Sequence, residues 1–306
     1  MNDLAWAKAA TRLDGPDFAA FQKGLTAFNN ARLTPTTPDD AIDYDLDEQF
    51  ALIRAERAFV EATRGEIAHL VADIPQDADA FMNWYEELSR SGPGQGDPLF
   101  PWLAREASAE EMHWFLLQEV AGEAGFDDLL AVTQVKFPVT PKLEMARNYW
   151  DEMGRGRYLG MHGPMLERLA EHLHVSPSPE TTIPEALALG NTMIAMAMNR
   201  DYAFHSAGAL GVIEMTAPVR ASYVDKGLRR LGVPAKKRHY FAVHAILDVK
   251  HSEAWNREVL RPLVVEDPRR AQAIGEGAVM RLWHGARCFE RYRREFGLTG
   301  ARSEAA

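Results

Sequence analysis

The chain has 306 residues, of which 46% are hydrophobic, 25% charged and 9% aromatic, a composition typical of a soluble globular protein. It carries 34 Lys and Arg against 44 Asp and Glu, a formal net charge of −10. No basic stripe offsets this charge, so nucleic acid is not expected as a partner. The single cysteine, Cys288, cannot form an internal disulfide, which fits a reducing compartment. Neither an export signal nor an apolar run of about 18 residues is evident, so we expect a cytoplasmic protein without a membrane segment.

Apolar residues recur at spacings of three and four along most of the chain, which predicts an all-α fold. The predicted helices cover 17–33, 47–74, 77–90, 108–132, 142–153, 159–174, 184–204 with a continuation through 206–214, 217–231, 235–260 and 268–296. Two pairs of residues, Ser108 with Glu111 and Thr182 with Glu185, have the spacing of a capping box at a helix start.

The stretch SGPGQGDP at 91–98 is the clearest linker in the chain. It predicts a boundary between an N-terminal auxiliary helical lobe, 1–94, and a helical bundle domain, 95–306. Helices joined by short loops usually pack antiparallel, and the interior of such a bundle is a recurrent place for a metal or cofactor.

The segment HAILDVKH places His244, Asp248 and His251 at positions i, i+4 and i+7 of a predicted helix. At about 100° per residue these side chains form a single stripe on one helix face. A divalent metal would satisfy two imidazoles and a carboxylate that share a buried face. Surface or capped histidines beside a solvated aspartate are the alternative explanation of the same pattern.

Two further segments offer ligands of the same chemistry. Glu152 and His162 lie on either side of Gly154 and Gly156, and these glycines would let a helix break and turn His162 toward Glu152. Glu119 lies on an otherwise apolar helix face, where a carboxylate is unusual unless it has a charged or metal partner. A salt bridge with an arginine such as Arg147 is the alternative for Glu119, and it is the preferred explanation for Glu123.

With these motifs in this order, the chain resembles the heme-oxygenase-like diiron oxidases and oxygenases. These are relatives in fold of the TENA/thiaminase and pyrroloquinoline-quinone synthase proteins. The resemblance covers roughly 95–296 and is carried by DPLFPWLA, LLQEVAGEAGF, NYWDEMGRG with MHGPML, and GLRRLGV with YFAVHAILDVKH.

The resemblance implies a heme-oxygenase-like helical bundle that holds two Fe(II) ions and uses O2 as cosubstrate. Transferred position by position, the family's metal ligands are Glu119, Glu152, His162, His244, Asp248 and His251. It also implies an oxidoreductase to which an external electron donor could supply electrons. For residues 1–94 we expect a role in dimerisation, and hence a homodimer.

Most substrates of such enzymes carry a carboxylate, so a small carboxylate, in particular an amino acid, is the expected substrate. The expected reactions are desaturation, C–C cleavage or ring closure. Arg200, Tyr202 and His205 are candidate substrate-binding residues, although each also fits a structural role. Tyr149, three residues before Glu152, is either a hydrogen-bonding neighbour of a metal ligand or a tyrosine of the core.

Three other functions remain open on the sequence. The first is an N-oxygenase of an amine or guanidine. The second is a metal-free member of the fold acting as a cofactorless oxidase or as a hydrolase, whose relatives commonly use a cysteine, whereas Cys288 is far from the motifs. The third is a helical binding module, for a carrier protein or in regulation, that has no metal.

Overall fold

The computed structural model describes residues 4–37, 46–123 and 125–298 of the chain. Helices form almost all regular structure in this part, whose only β pairing is an isolated bridge between Met153 and Met161. The predicted all-α fold is confirmed. No helix in these ranges is long and apolar enough to cross a membrane.

The α-helices follow one another in the order α1 (Gly15–Leu33), α2 (Leu46–Ile67), α3 (Ala78–Ser91), α4 (Leu99–Arg105), α5 (Ala109–Glu123), α6 (Phe126–Thr133), α7 (Val139–Glu152), α8 (His162–Leu173), α9 (Pro184–Met198), α10 (Ala203–Arg230), α11 (His239–Trp255), α12 (Arg261–Glu266) and α13 (Arg270–Glu295). Short 3-10 helices cover Leu4–Ala9, Ala68–Leu70, Gly154–Gly156, Tyr158–Gly160 and Arg200–Tyr202. A π-helical turn, Asn256–Leu260, joins α11 to α12.

Several predicted helices have different limits in the structure; the helix predicted over 184–204, for example, ends at Met198 as α9. The segment 108–132 is divided into α5 and α6 at Gly125, whose φ of +109° a helix cannot contain. The predicted segments 206–214 and 217–231 form one continuous helix, α10, which contains Pro218. Pro218 is buried in the bundle, where tertiary packing of the helix offsets the hydrogen bond that proline cannot donate.

One of the two predicted capping boxes is present. The Ser108 N–H donates to Glu111 Oε2 at 2.7 Å, and the Glu111 N–H donates to Ser108 Oγ at 3.2 Å. The pair Thr182 and Glu185 was predicted wrongly, because Ile183 caps α9 and its N–H donates to Gln118 Oε1 at 2.9 Å. The start of α9 is therefore held by a side chain from another helix.

The central core lies between α3, α10, α13 and the π-helical turn, and includes Tyr85, Leu210, Trp255, Leu260 and Ile274. Helices α10 and α13 meet backbone to backbone. A Cβ added at Gly208 would lie 1.9 Å from the Ile274 carbonyl oxygen, and one added at Gly277 would lie 1.9 Å from the His205 carbonyl oxygen. This close crossing fixes the position of α10 within the bundle.

A second core joins α4, α5, α8 and α11 to the C-terminal half of α13, and includes Phe100, Phe115, Leu169, Tyr240 and Tyr292. The space between this core and the central core contains the site described below.

The N-terminal helices α1 and α2 form a smaller core of Phe21, Leu25 and Phe59 against α9. Buried amides tie this lobe to the bundle, since Asn29 Nδ2 donates to Asn191 Oδ1 at 2.9 Å. Helix α3 also precedes the predicted boundary at residue 94, yet Tyr85 on this helix lies in the central core. The division into 1–94 and 95–306 stays a prediction.

Candidate metal centre

Four helices bring carboxylates and imidazoles together in the bundle interior. The last residue of α7 is Glu152, the first residue of α8 is His162, and Glu214 lies in the middle of α10. Helix α11 adds His244, Asp248 and His251. Two groups of converging ligand atoms result, the first of Glu152, His162 and His244 and the second of Glu152, Glu214 and His251, with the atoms of each group within 4.8 Å of one another.

A tight loop between α7 and α8 brings Glu152 and His162 to the same place. Gly154 has a φ of +61°, and a Cβ there would lie 2.3 Å from the Gly160 carbonyl carbon. Only glycine fits a backbone that approaches another so closely in this conformation. The bridge between Met153 and Met161 closes the loop, so two ligands ten residues apart face one point.

In the first group, the imidazoles are oriented for binding a shared ion. His162 Nδ1 lies 2.6 Å from Glu152 Oε2, and the His162 and His244 ring centroids are 4.5 Å apart. The Tyr240 carbonyl oxygen lies 2.7 Å from His244 Nδ1. A carbonyl can only accept, so Nδ1 carries the proton and His244 Nε2 is left as a ligand atom.

In the second group, Glu214 is the residue that sequence analysis missed. Its Oε2 lies 3.5 Å from His251 Nδ1, and its Oε1 accepts a hydrogen bond from Asn148 Nδ2 at 2.6 Å. A signal was present in the sequence, because Glu214 is the only Asp, Glu, Lys or Arg between Asp201 and Arg220. A lone acid in a long uncharged helical stretch requires a buried partner.

Asp151 contacts the second group through the Nε2 atom of His251, the ring nitrogen that faces away from Glu214. His251 Nε2 lies 3.2 Å from Asp151 Oδ2, and Asp151 Oδ1 accepts from Arg155 Nε at 2.6 Å. A carboxylate on the far nitrogen of a histidine fixes the tautomer and leaves Nδ1 for a metal. Tyr149 is partly buried against the central core, and its hydroxyl forms no hydrogen bond with a described residue of the two groups.

The charges around His251 show what the site lacks. Burial alone would lower the pKa of His251, but the carboxylates of Glu214, Asp151 and Glu152 outweigh burial and raise it to about 9. Glu152 is 5% exposed and Glu214 is 3% exposed. Neither forms an ion pair with any lysine or arginine of the described chain, so the histidines beside them, or a bound metal ion, must balance their charge.

The residues present fit a metal. The His162 and His251 Nδ1 atoms each lie near a carboxylate, yet neither has a hydrogen bond of good geometry among the described residues. Ring nitrogens and carboxylate oxygens that lie close together without a well-formed hydrogen bond are expected where both bind the same ion. Imidazoles combined with carboxylates suit a divalent transition metal such as iron.

The other two predicted ligands line the same cavity. Asp248 is buried, with Oδ1 3.9 Å from His251 Nδ1. Glu119 accepts a hydrogen bond from the Tyr292 hydroxyl at 3.1 Å and belongs to neither converging group. Arg147 pairs with Glu144 at 2.5 Å, not with Glu119. The side chain of Glu123 lies outside the described residues, so its expected salt bridge stays a prediction.

The candidate substrate residues lie elsewhere, at the start of α10. Arg200 donates to the Val132 and Thr133 carbonyl oxygens at 3.2 and 3.3 Å, and His205 Nε2 lies 3.0 Å from Glu276 Oε2. The Tyr202 hydroxyl donates to Glu61 Oε1 at 2.5 Å. None of the three lines the cavity, and a substrate-binding role for them stays a prediction.

Cys288 does not act as a nucleophile in this fold. It is 1% exposed, and burial raises the pKa of its thiol far above the ordinary value. A reactive thiol requires access and a stabilised thiolate, and Cys288 has neither. The hydrolase alternative therefore loses its candidate cysteine.

An all-helical bundle with carboxylate and imidazole groups in its interior defines a class of non-heme metalloproteins. The comparison with protein families gives the same result. The model of a family described as iron-containing redox enzyme matches residues 113–286, more than half of the chain. The chain belongs to this family, within the heme-oxygenase-like superfamily, and is an oxidoreductase. No curated protein matches the chain significantly.

Proposed function

We propose that this protein is a diiron oxidase or oxygenase that activates O2 to oxidise a small carboxylate-bearing substrate, in particular an amino acid. The observation that carries the proposal is the position of Glu152, which belongs to both converging groups. A carboxylate has two oxygens and can bridge two ions, whereas a mononuclear site has no need of a shared ligand.

His162 and His244 would hold one ion, His251 and Glu214 the other, with Glu152 between them. Asp248 and Glu119, which line the cavity, would complete the set. When bound, a pair of ferrous ions supplies the electrons and the open coordination positions for O2 activation. Asn148 and Asp151 hold Glu214 and His251 in place by the hydrogen bonds described above.

The cavity beside the two groups would hold the substrate. Its apolar wall includes Leu166, Leu189, Met193 and Ile213, and it encloses about 80 Å³, which suits a compact molecule better than a long chain. Burial of the apolar part of a substrate here excludes water from the reacting atoms.

N-oxygenation of an amine or guanidine is the second candidate reaction. Asp127 favours it, because this partly buried carboxylate lines the cavity and could pair with a substrate nitrogen. Identification of the oxidised product, by mass spectrometry after incubation with O2, separates N–O formation from desaturation, C–C cleavage or ring closure.

Metal stoichiometry tests the proposed function. The protein is loaded anaerobically with Fe(II), desalted and analysed for iron, and the wild type is expected to retain about two ions per chain. Glu152→Gln removes a ligand from both groups, so it is expected to retain well under one ion. Glu214→Gln affects one group only and is expected to retain about one ion.

Glu144→Gln is the matched control, because Glu144 is a buried acid on the same helix that pairs with Arg147 instead. It is expected to bind iron as the wild type does. O2 uptake by the loaded protein is then measured with candidate amino acids. Iron binding by Glu152→Gln equal to that of the wild type would contradict a shared bridging carboxylate.

A further inference from the structure

Arg281, on α13, is a buried cation in the wall of the cavity. It is 7% exposed, yet its guanidinium forms no hydrogen bond or ion pair with a described residue. A guanidinium has five N–H donors, and burying it without an acceptor is unfavourable. Such a group in a cavity wall indicates that a ligand supplies the missing acceptor.

The local structure keeps space for this guanidinium. A Cβ added at Gly285, one turn further along α13, would lie 3.0 Å from Arg281 Nη1. The glycine thus leaves room beside the charged group. Arg281 lines both the cavity and a small recess that opens beside it.

A second arginine faces the same recess. Arg220, on α10, lines the cavity and the recess, and its guanidinium carbon lies 5.7 Å from the centroid of the Phe289 ring. The charged side chains of the recess are these two arginines and Glu119. Among the side chains that line the recess, the two guanidiniums outnumber the single carboxylate.

Three further carboxylates, those of Glu152, Glu214 and Asp248, line the cavity but not the recess. Without metal ions these three carboxylates repel an anion. The apolar side chains of Leu189, Met193 and Ile213 line the same cavity, and Leu189 also lines the recess. An anionic ligand with an apolar body therefore has one favourable orientation, with its charge at the arginines and its body toward Glu152.

We propose that Arg281 and Arg220 form an anion subsite that binds the substrate's carboxylate and directs its apolar part toward the metal ligands. A planar guanidinium matches a carboxylate with two parallel hydrogen bonds. The subsite selects free acids over esters and amides of the same shape. This inference rests on the proposed function for the identity of the ligand, but not for the binding itself.

The test uses the full-length protein with metals removed by chelation, so that a carboxylate cannot bind to iron. The probes are 4-methylpentanoate and the neutral 4-methylpentanamide, which have nearly the same shape, and binding is measured by isothermal titration calorimetry. The carboxylate is expected to bind at least about tenfold more tightly than the amide. Arg281→Met is expected to remove this preference.

Arg257→Met is the control, because Arg257 is exposed on the π-helical turn and pairs with Glu258; it is expected to keep the preference. If Arg281→Met does not fold, Arg281→Gln and Arg220→Met take its place. Equal binding of the two probes to the wild type, or a full preference in Arg281→Gln, overturns the subsite. Iron stoichiometry is measured separately, so loss of the subsite and loss of the diiron site give different results.

Discussion

At the scale of single residues, the stretch Asn148 to Glu152 concentrates the polar contacts of the site. Glu152 is shared by both groups, Asn148 donates to Glu214, and Asp151 contacts His251. Trp150 faces outward and lies against Gly156, where a Cβ would be 3.0 Å from its ring. One turn of helix thus supplies a ligand and two supporting hydrogen bonds.

Asp151→Asn is expected to weaken metal binding at the second group by about 10- to 100-fold, because the amide no longer fixes the His251 tautomer. Co(II) is the probe for this loss. Its affinity is measured by competition with a chelator of known affinity, and its absorption spectrum is recorded in the same experiment. The first group should keep its ion.

The control for Asp151 is Arg155→Met, which removes the exposed partner of Asp151 and keeps its carboxylate. An exposed ion pair contributes about 0–1 kcal/mol, so Co(II) affinity should change little. Similar losses in the two variants would show that the ion pair, and not the carboxylate on His251, is responsible.

At the scale of helices, periodicity in the sequence located most elements but not their joints. The break at Gly125 and the continuity of α10 through Pro218 depend on backbone conformation and burial, which spacing does not report. The ligands His244, Asp248 and His251 were predictable because they share one helix. For Glu214 the sequence offered only the signal of an isolated acid, because its partners Asn148 and His251 come from two other helices.

Gly208→Ala tests whether α10 and α13 can move apart at their backbone contact. The added Cβ would overlap the Ile274 carbonyl oxygen, so α10 must shift, at a cost of about 1–3 kcal/mol in the free energy of unfolding. Urea denaturation measures this loss. Because α10 carries Glu214, weaker metal binding should accompany it.

Gly65→Ala is the comparison for Gly208. Gly65 is exposed in α2, and no atom lies within 4 Å of the position that a Cβ would take there. Alanine at this position is expected to stabilise the protein by about 0.4–1 kcal/mol. Equal effects of the two substitutions would mean that α10 and α13 tolerate separation.

At the scale of the whole molecule, the proposed ions would join α7, α8, α10 and α11 at one point. Ligands that bind only the folded state raise its stability, by about 2.7 kcal/mol at a concentration of 100 Kd. Mn(II), which avoids oxidation chemistry, is therefore expected to raise the melting temperature by a few degrees. Differential scanning calorimetry with and without Mn(II) measures the shift.

Glu152→Gln should remove most of the stabilisation by Mn(II), whereas Glu144→Gln should retain it. A melting temperature that is independent of Mn(II) in the wild type would argue against a metal centre that links these helices.

The closed loop between Met153 and Met161 has a consequence for the divergence of related chains. An inserted residue would separate Glu152 from His162 or force a side chain onto the crowded Gly154. The connection from α10 to α11 runs through an exposed turn around Lys236 and Lys237, where length can vary at little cost. Among distant homologues, we expect the interval between the first pair of ligands to be invariant and the interval from Glu214 to His244 to drift.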